Sequence, residues 1–202
     1  MGSTQVPELA FSVQGHRMTY DQKEITKFFA QYVEHHCRRD FYMKSFTKSG
    51  YALIPRIAPE AKILDVGCGQ NLFKPYFSNL IGIDVIGDQC DVQTSLLEFH
   101  SQDQFDVVLC LGSIFGSIDD IDRQVAHIKT LLRPGGKIFW RNHPARPRYQ
   151  FPAFFYPWTE HTHITLSKQH GFELNEVCKE QCYAPTPGPY TYRIYAEYTL
   201  IS

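Results

Sequence analysis

The sequence predicts an α/β fold: a doubly wound, mostly parallel sheet with helices on both faces and a C-terminal antiparallel hairpin. Short apolar runs at 62–66, 80–84, 105–111 and 137–141 have the length and character of buried parallel strands, and helical or irregular links separate them. The run Ile63-Leu64-Asp65-Val66-Gly67-Cys68-Gly69 ends a strand in a tight turn whose glycines leave backbone N–H groups unshielded. Two long strand-like runs, 173–183 and 190–201, bracket the turn Ala184-Pro185-Thr186-Pro187-Gly188-Pro189 and read as a hairpin at the sheet edge.

The elements follow in order. Residues 1–19 are mixed and polar, without periodicity, and read as an arm. Asp21 and Glu24 form a capping-box pattern, after which Ile25, Phe28, Phe29, Tyr32 and Val33 recur at helical spacing. A second helix is expected over 40–57, interrupted by Gly50 and Pro55. Short links are expected near 72–77 and 94–99, and a clearer helix over 118–132 with Ile121, Val125, Ile128 and Leu132 on one face. A helix near 163–170 stops at Gly171, a suitable C-cap. The organisation is one domain overall, with an N-terminal arm and lid-like helices (1–58) packed on a core (59–202).

Composition narrows the function. A chain of 202 residues with a formal net charge of −1 is no globally basic nucleic-acid binder. No stretch approaches the roughly 20 apolar residues of a membrane span, and no signal-peptide core is present, so a cytoplasmic location is expected. The cysteines at 37, 68, 90, 110, 178 and 182 are scattered, without a CxxC pair, and read as reduced thiols. No metal site is expected; His161 and His163 flank Thr162 at a helix start, where capping is the simpler account.

An open parallel sheet binds ligands beyond the carboxyl ends of its strands. Asp65, Gly67, Cys68 and Gly69 lie at the end of the first strand, and Asp84 at the end of the second, placed to accept from ribose hydroxyls. Asp91 and Val92 follow, within reach of an adenine ring, and Leu111, Gly112 and Ser113 end the fourth run beneath the same pocket. Together these describe an adenosine-containing ligand. A dinucleotide fingerprint wants a third glycine, and here that position is Leu72.

These motifs resemble the class I S-adenosylmethionine-dependent methyltransferases, from about residue 62 to 141, with supporting order in the tail. Ile63 to Gly69 is similar to that family's first motif, Ile81-Gly82-Ile83-Asp84 to its second-strand acid, and 105–113 to its fourth-strand motif. Leu131 to Phe139, with Pro134-Gly135-Gly136, resembles the turn before its fifth strand. The resemblance implies a Rossmann-like fold and S-adenosylmethionine as cofactor. Gly67 and Gly69 would lie against its methionine part, with Asp65 buttressing the turn. Asp84 would hold the ribose, Asp91 and Val92 would flank adenine, and Leu111 to Ser113 would lie below the sulfonium. Residues 85–89 are too few for the helix most members place there, so an irregular wall is expected.

Methyl transfer is an in-line displacement governed by positioning and water exclusion. After the fifth strand comes Arg141-Asn142-His143-Pro144-Ala145-Arg146-Pro147-Arg148, expected as a loop on the ligand side. His143 is the candidate base or orienting group. Arg141, Arg146 and Arg148 suit a carboxylate or phosphate on the acceptor. By the resemblance Tyr20, Phe28, Phe29 and Tyr42 are candidate acceptor-side residues. The fourth-strand end, Leu111-Gly112-Ser113-Ile114-Phe115, lacks the Asn/Asp-Pro-Pro-aromatic pattern of enzymes that methylate nucleobase amines. The expected activity is methyl transfer to oxygen or nitrogen of a small molecule, anionic acceptors included, by a monomer or homodimer. The alternatives are a methyltransferase acting on nucleic acid or protein, and a non-catalytic cofactor-binding partner module.

Overall fold

The structure is a computed structural model, and it describes residues 43–87, 89–144, 156–182 and 192–201 together with Lys27. The expected N-terminal arm, the first helix apart from Lys27, the turn at 184–189, and Tyr20, Phe28, Phe29, Tyr42, Arg146 and Arg148 lie outside the described residues.

A seven-stranded sheet organises the chain, in the order β3-β2-β1-β4-β5-β7-β6. Its strands are β1 (Ile63–Val66), β2 (Leu80–Asp84), β3 (Val92–Gln93), β4 (Phe105–Cys110), β5 (Leu132–Asn142), β6 (Phe172–Gln181) and β7 (Tyr192–Leu200). Strands β1 to β5 pair in parallel, and β7 runs antiparallel between β5 and β6. Strand order reverses at β1, between β2 and β4, which opens the crevice that such sheets use for ligands.

Helix α1 (Ile118–Leu131) opens on a reciprocal capping box between Ser117 and Asp120, and buries Ile121, Val125, Ile128 and Leu131. Helix α2 (Glu160–His170) starts earlier than expected, because Thr159 is its N-cap and Thr162 closes the box; it ends on Gly171 at φ 73°. Both helices contribute to one apolar layer on the sheet, with Leu64, Val108, Ile138 and Trp140. The other layer joins Leu53, Phe73, Phe77, Leu109 and Phe139, brought by 3-10 turns at Gly50–Arg56 and Lys74–Tyr76.

Two expectations need correction. No helix runs through 45–57: residues 45–49 are turn and bridge, and only a 3-10 segment follows. Gly50 has φ 60°, and a Cβ there would overlap the Met43 carbonyl. The segment instead straps onto β6, where buried Glu180 accepts from Lys48 N, Ser49 N (2.6 Å) and Ser49 Oγ (2.7 Å). Strand β5 begins at Leu132 rather than Lys137, with a register shift opposite Phe105 to Val107 that absorbs the Pro134-Gly135-Gly136 bend.

Candidate active site

The turn after β1 is built from backbone bonds to β2. Gly67 N and Cys68 N both donate to Ile83 O (2.8 and 3.1 Å), and Gly69 N donates to Asp84 Oδ2 at 2.8 Å. The other Asp84 oxygen, Oδ1, accepts from Ile86 N at 3.0 Å. Each Asp84 oxygen keeps a further lone pair. Gly67 adopts φ 65°, and a Cβ on it would overlap the Ser113 Cβ, so the ends of β1 and β4 touch at this glycine. Ser113 Oγ beside it is buried without a hydrogen-bond partner among the described residues. Asp65, Gly67, Cys68, Gly69, Asp84, Asp91, Val92 and Leu111 to Ser113 thus gather at one end of the sheet.

Asp65 is 5% exposed beneath this turn. Burial lifts its carboxyl to about 7, against the pull of Arg141 and with a further push from Asp84. Burial, reinforced by Asp65 and Asp84, also raises the Cys68 thiol, which disfavours a thiolate there.

Asp91 is engaged within the protein. Its Oδ2 accepts from Gly82 N (2.8 Å) and Asn71 Nδ2 (3.1 Å), and its Oδ1 pairs with Lys74 Nζ at 2.9 Å. Partial burial opposes ionisation, but these donors win and hold its carboxyl below the usual range. Asn71, at φ 53° and 7% exposed, was not anticipated as part of the site; an Asn two residues past a Gly-Cys-Gly turn is a signal for a left-handed residue. Leu72, at the third-glycine position of a dinucleotide motif, packs its side chain into the second apolar layer. The link between β2 and β3 holds no helix among its described residues, and Val92 is left 42% exposed.

Arg141 is not on a loop. It is the penultimate residue of β5, 7% exposed, with Nη2 donating to Leu111 O at 3.0 Å and its guanidinium 4.2 Å from the Phe46 ring centroid. It therefore sits under the strand ends beside Asp65. His143, just past β5, does border open space. A small recess, partly open to solvent, lies beyond β4 and β5, lined by Gly112, Phe115, Asn142, His143, Tyr156 and Trp158, together with Ile114. Asn142, Tyr156 and Trp158 were not among the expected site residues. His163, buried and bonded through Nδ1 to Tyr198 Oη (2.8 Å), supports this wall from behind, while His161 is exposed.

Comparison with known proteins gives this geometry its class. A family model described as a methyltransferase domain matches residues 35–181. The chain belongs to that family, and is a class I S-adenosylmethionine-dependent methyltransferase. No curated protein sequence matches it. Among solved structures, 1,6-didemethyltoxoflavin-N1-methyltransferase from Burkholderia thailandensis, with bound 1,6-didemethyltoxoflavin and S-adenosylhomocysteine, is 16% identical at a TM-score of 0.69, covering 94% of each chain. N-methyltransferase NodS from Bradyrhizobium japonicum, in complex with S-adenosylhomocysteine, is 16% identical at 0.57, covering 84% of this chain and 88% of its own. Magnesium protoporphyrin IX methyltransferase from Synechocystis, with bound S-adenosylmethionine, is 14% identical at 0.53, covering 93% and 86%. At these identities the likeness is one of fold. Among the described residues no helix is long and apolar enough to cross a membrane.

Proposed function

We propose that the protein transfers a methyl group from S-adenosylmethionine to a nitrogen or oxygen atom of a small molecule held in the cleft beyond β4 and β5. The observation that carries this reading is the cleft itself, a recess between Gly112 and Asn142 next to the Gly67–Ser113 contact. Macromolecular acceptors are better served by an open groove. The two N-methyltransferases above are fold relatives only, and their N-methylation lends this chain a direction to test.

The residues suit the donor. When bound, S-adenosylmethionine supplies an electrophilic methyl on a sulfonium. Gly67, Cys68 and Gly69 would face its methionine part, and the spare lone pairs of Asp84 would take the ribose hydroxyls. Exposed Val92 offers an apolar face to adenine, and Leu111, Gly112 and Ser113 would lie beneath the sulfonium. In this reading Asp65 and Asp91 support the strand ends, Asp91 by fixing Gly82, Asn71 and Lys74. His143, which lines the cleft, would orient the acceptor or take its proton. Buried Arg141 anchors the floor, and Arg146, Arg148 and Tyr20 are candidates for acceptor contacts. Residues 1–58 act as cover and 59–202 as core.

The test is release of S-adenosylhomocysteine by the purified chain with a panel of small amines, phenols and N-heterocycles, beside transfer RNA, DNA and denatured protein. Turnover confined to small molecules is expected. Turnover confined to a macromolecule would overturn the reading.

A further inference from the structure

The cleft described above carries information about what it accepts. Its wall is aromatic and held in place. Trp158 stacks on His163 with centroids 4.8 Å apart and rings 26° from parallel, and Tyr156 meets Trp158 edge-on at 5.5 Å. Tyr198 Oη donates to His163 O at 3.0 Å, so the Nδ1 contact at 2.8 Å must have His163 as donor. The imidazole is therefore a fixed neutral Nδ1–H tautomer behind the wall. Such flat, immobile surfaces suit a planar ring.

One polar side chain on this wall stands out. Asn142 is 2% exposed, lines the cleft, and its Oδ1 has no hydrogen-bond partner among the described residues. Leaving a buried amide oxygen unpaired destabilises the empty site, a loss that a ligand completing the pairing would recover. The neighbouring cation does not compete: Arg141, the preceding strand residue, points to the opposite sheet face and bonds Leu111 O. The described lining residues thus include no carboxylate, ammonium or guanidinium.

We infer that Asn142 selects the acceptor, by hydrogen-bonding the donor–acceptor edge of an uncharged, planar nitrogen heterocycle lying along Phe115, Tyr156 and Trp158. A side-chain amide presents a donor and an acceptor in one plane, so it matches a ring edge in which N–H and C=O, or N–H and a ring nitrogen, are adjacent. This rests on the cleft being the acceptor site, and makes Asn142 a specificity-determining residue. A site that pairs such an edge rejects analogues lacking it far more strongly than one that relies on apolar fit.

The test uses the full chain saturated with S-adenosylhomocysteine and three probes of one size, titrated by calorimetry: isoquinolin-1-one (a neutral lactam), 1-naphthoate (an anion) and naphthalene. The lactam is expected to bind tightest to the unaltered chain. Asn142→Leu should weaken the lactam about tenfold or more and leave naphthalene unchanged or tighter, a reversal of preference that simple loosening of the wall would not produce. Equal lactam affinity in both chains, no lactam binding, or a preference for 1-naphthoate would each overturn the inference while leaving methyl transfer standing. Failure of the unaltered chain to bind S-adenosylhomocysteine would sink both. If Asn142→Leu no longer binds S-adenosylhomocysteine, the ranking of the three probes on the unaltered chain decides.

Discussion

Gly67 and Ser113 meet where β1 and β4 end, so closely that a Cβ on the glycine would overlap that of the serine. The contact joins the two strands that border the switch point, and it leaves the Gly67 amide free to turn back onto Ile83 O at 2.8 Å. Gly67→Ala would suffer twice: a left-handed conformation costs about 1–2 kcal/mol for an L residue, and the overlap about 1–3 kcal/mol. Urea unfolding of the cofactor-free protein should show a loss of about 2–5 kcal/mol. Adding Ser113→Gly should restore the overlap part only; an unchanged loss in the double variant would show that the contact does not limit packing.

A different outcome is expected at Asp91. Three donors converge on its carboxylate, Gly82 N, Asn71 Nδ2 and Lys74 Nζ. A residue that buttresses must matter before any ligand arrives. Asp91→Ala should therefore destabilise the cofactor-free chain by about 1–3 kcal/mol, since buried donors lose their acceptor. A variant of unaltered stability that binds S-adenosylhomocysteine poorly would instead return Asp91 to the adenine pocket.

The contrast between Asp84 and Asp91 marks how far the sequence could be read. Buried parallel strands appear as short apolar runs, so β1, β2 and β4 were legible within a residue or so. Strand β3 was not, because two exposed residues carry no pattern. At the site, Asp84 follows directly from its strand end, whereas two partners of Asp91, Asn71 and Lys74, come from a turn and a 3-10 segment. Arg141 looked like loop because Asn142-His143-Pro144 follows it; pairing with Tyr195 of β7 keeps it in the sheet. Asn142 was passed over for the same reason. It is buried and lines the same recess as Trp158, a residue distant in sequence, which no local pattern announces.

For Asp84 itself the expected loss is in binding. Both its oxygens already orient through Gly69 N and Ile86 N, so the remaining lone pairs are fixed in direction. A hydrogen bond to a charged acceptor contributes about 1.5–3 kcal/mol. Asp84→Ala should thus weaken S-adenosylhomocysteine binding by at least about tenfold in calorimetry. Affinity within twofold of the unaltered chain would remove Asp84 from the ribose site.

Two buried groups should tilt stability with pH in opposite directions. Burial holds Asp65 protonated up to about 7, against 3.8 in a free carboxyl. Its contribution is fully present below about pH 3.8 and is lost as pH rises through about 7. Burial keeps His163 neutral down to about 3, against 6.5 unperturbed. Its contribution is present above about pH 6.5 and is lost as pH falls towards about 3, because only the unfolded chain takes the proton. Where the windows overlap, the two slopes are equal in size and opposite in sign, so the unaltered chain shows little net dependence from this pair. Asp65→Asn, which mimics the protonated acid, should unmask a stability that climbs with pH across the overlap. His163→Phe should unmask one that falls. Urea titrations of the cofactor-free proteins in steps from about pH 4 to 7 read both slopes, and a variant with the same profile as the unaltered chain would show that its group does not titrate as placed here.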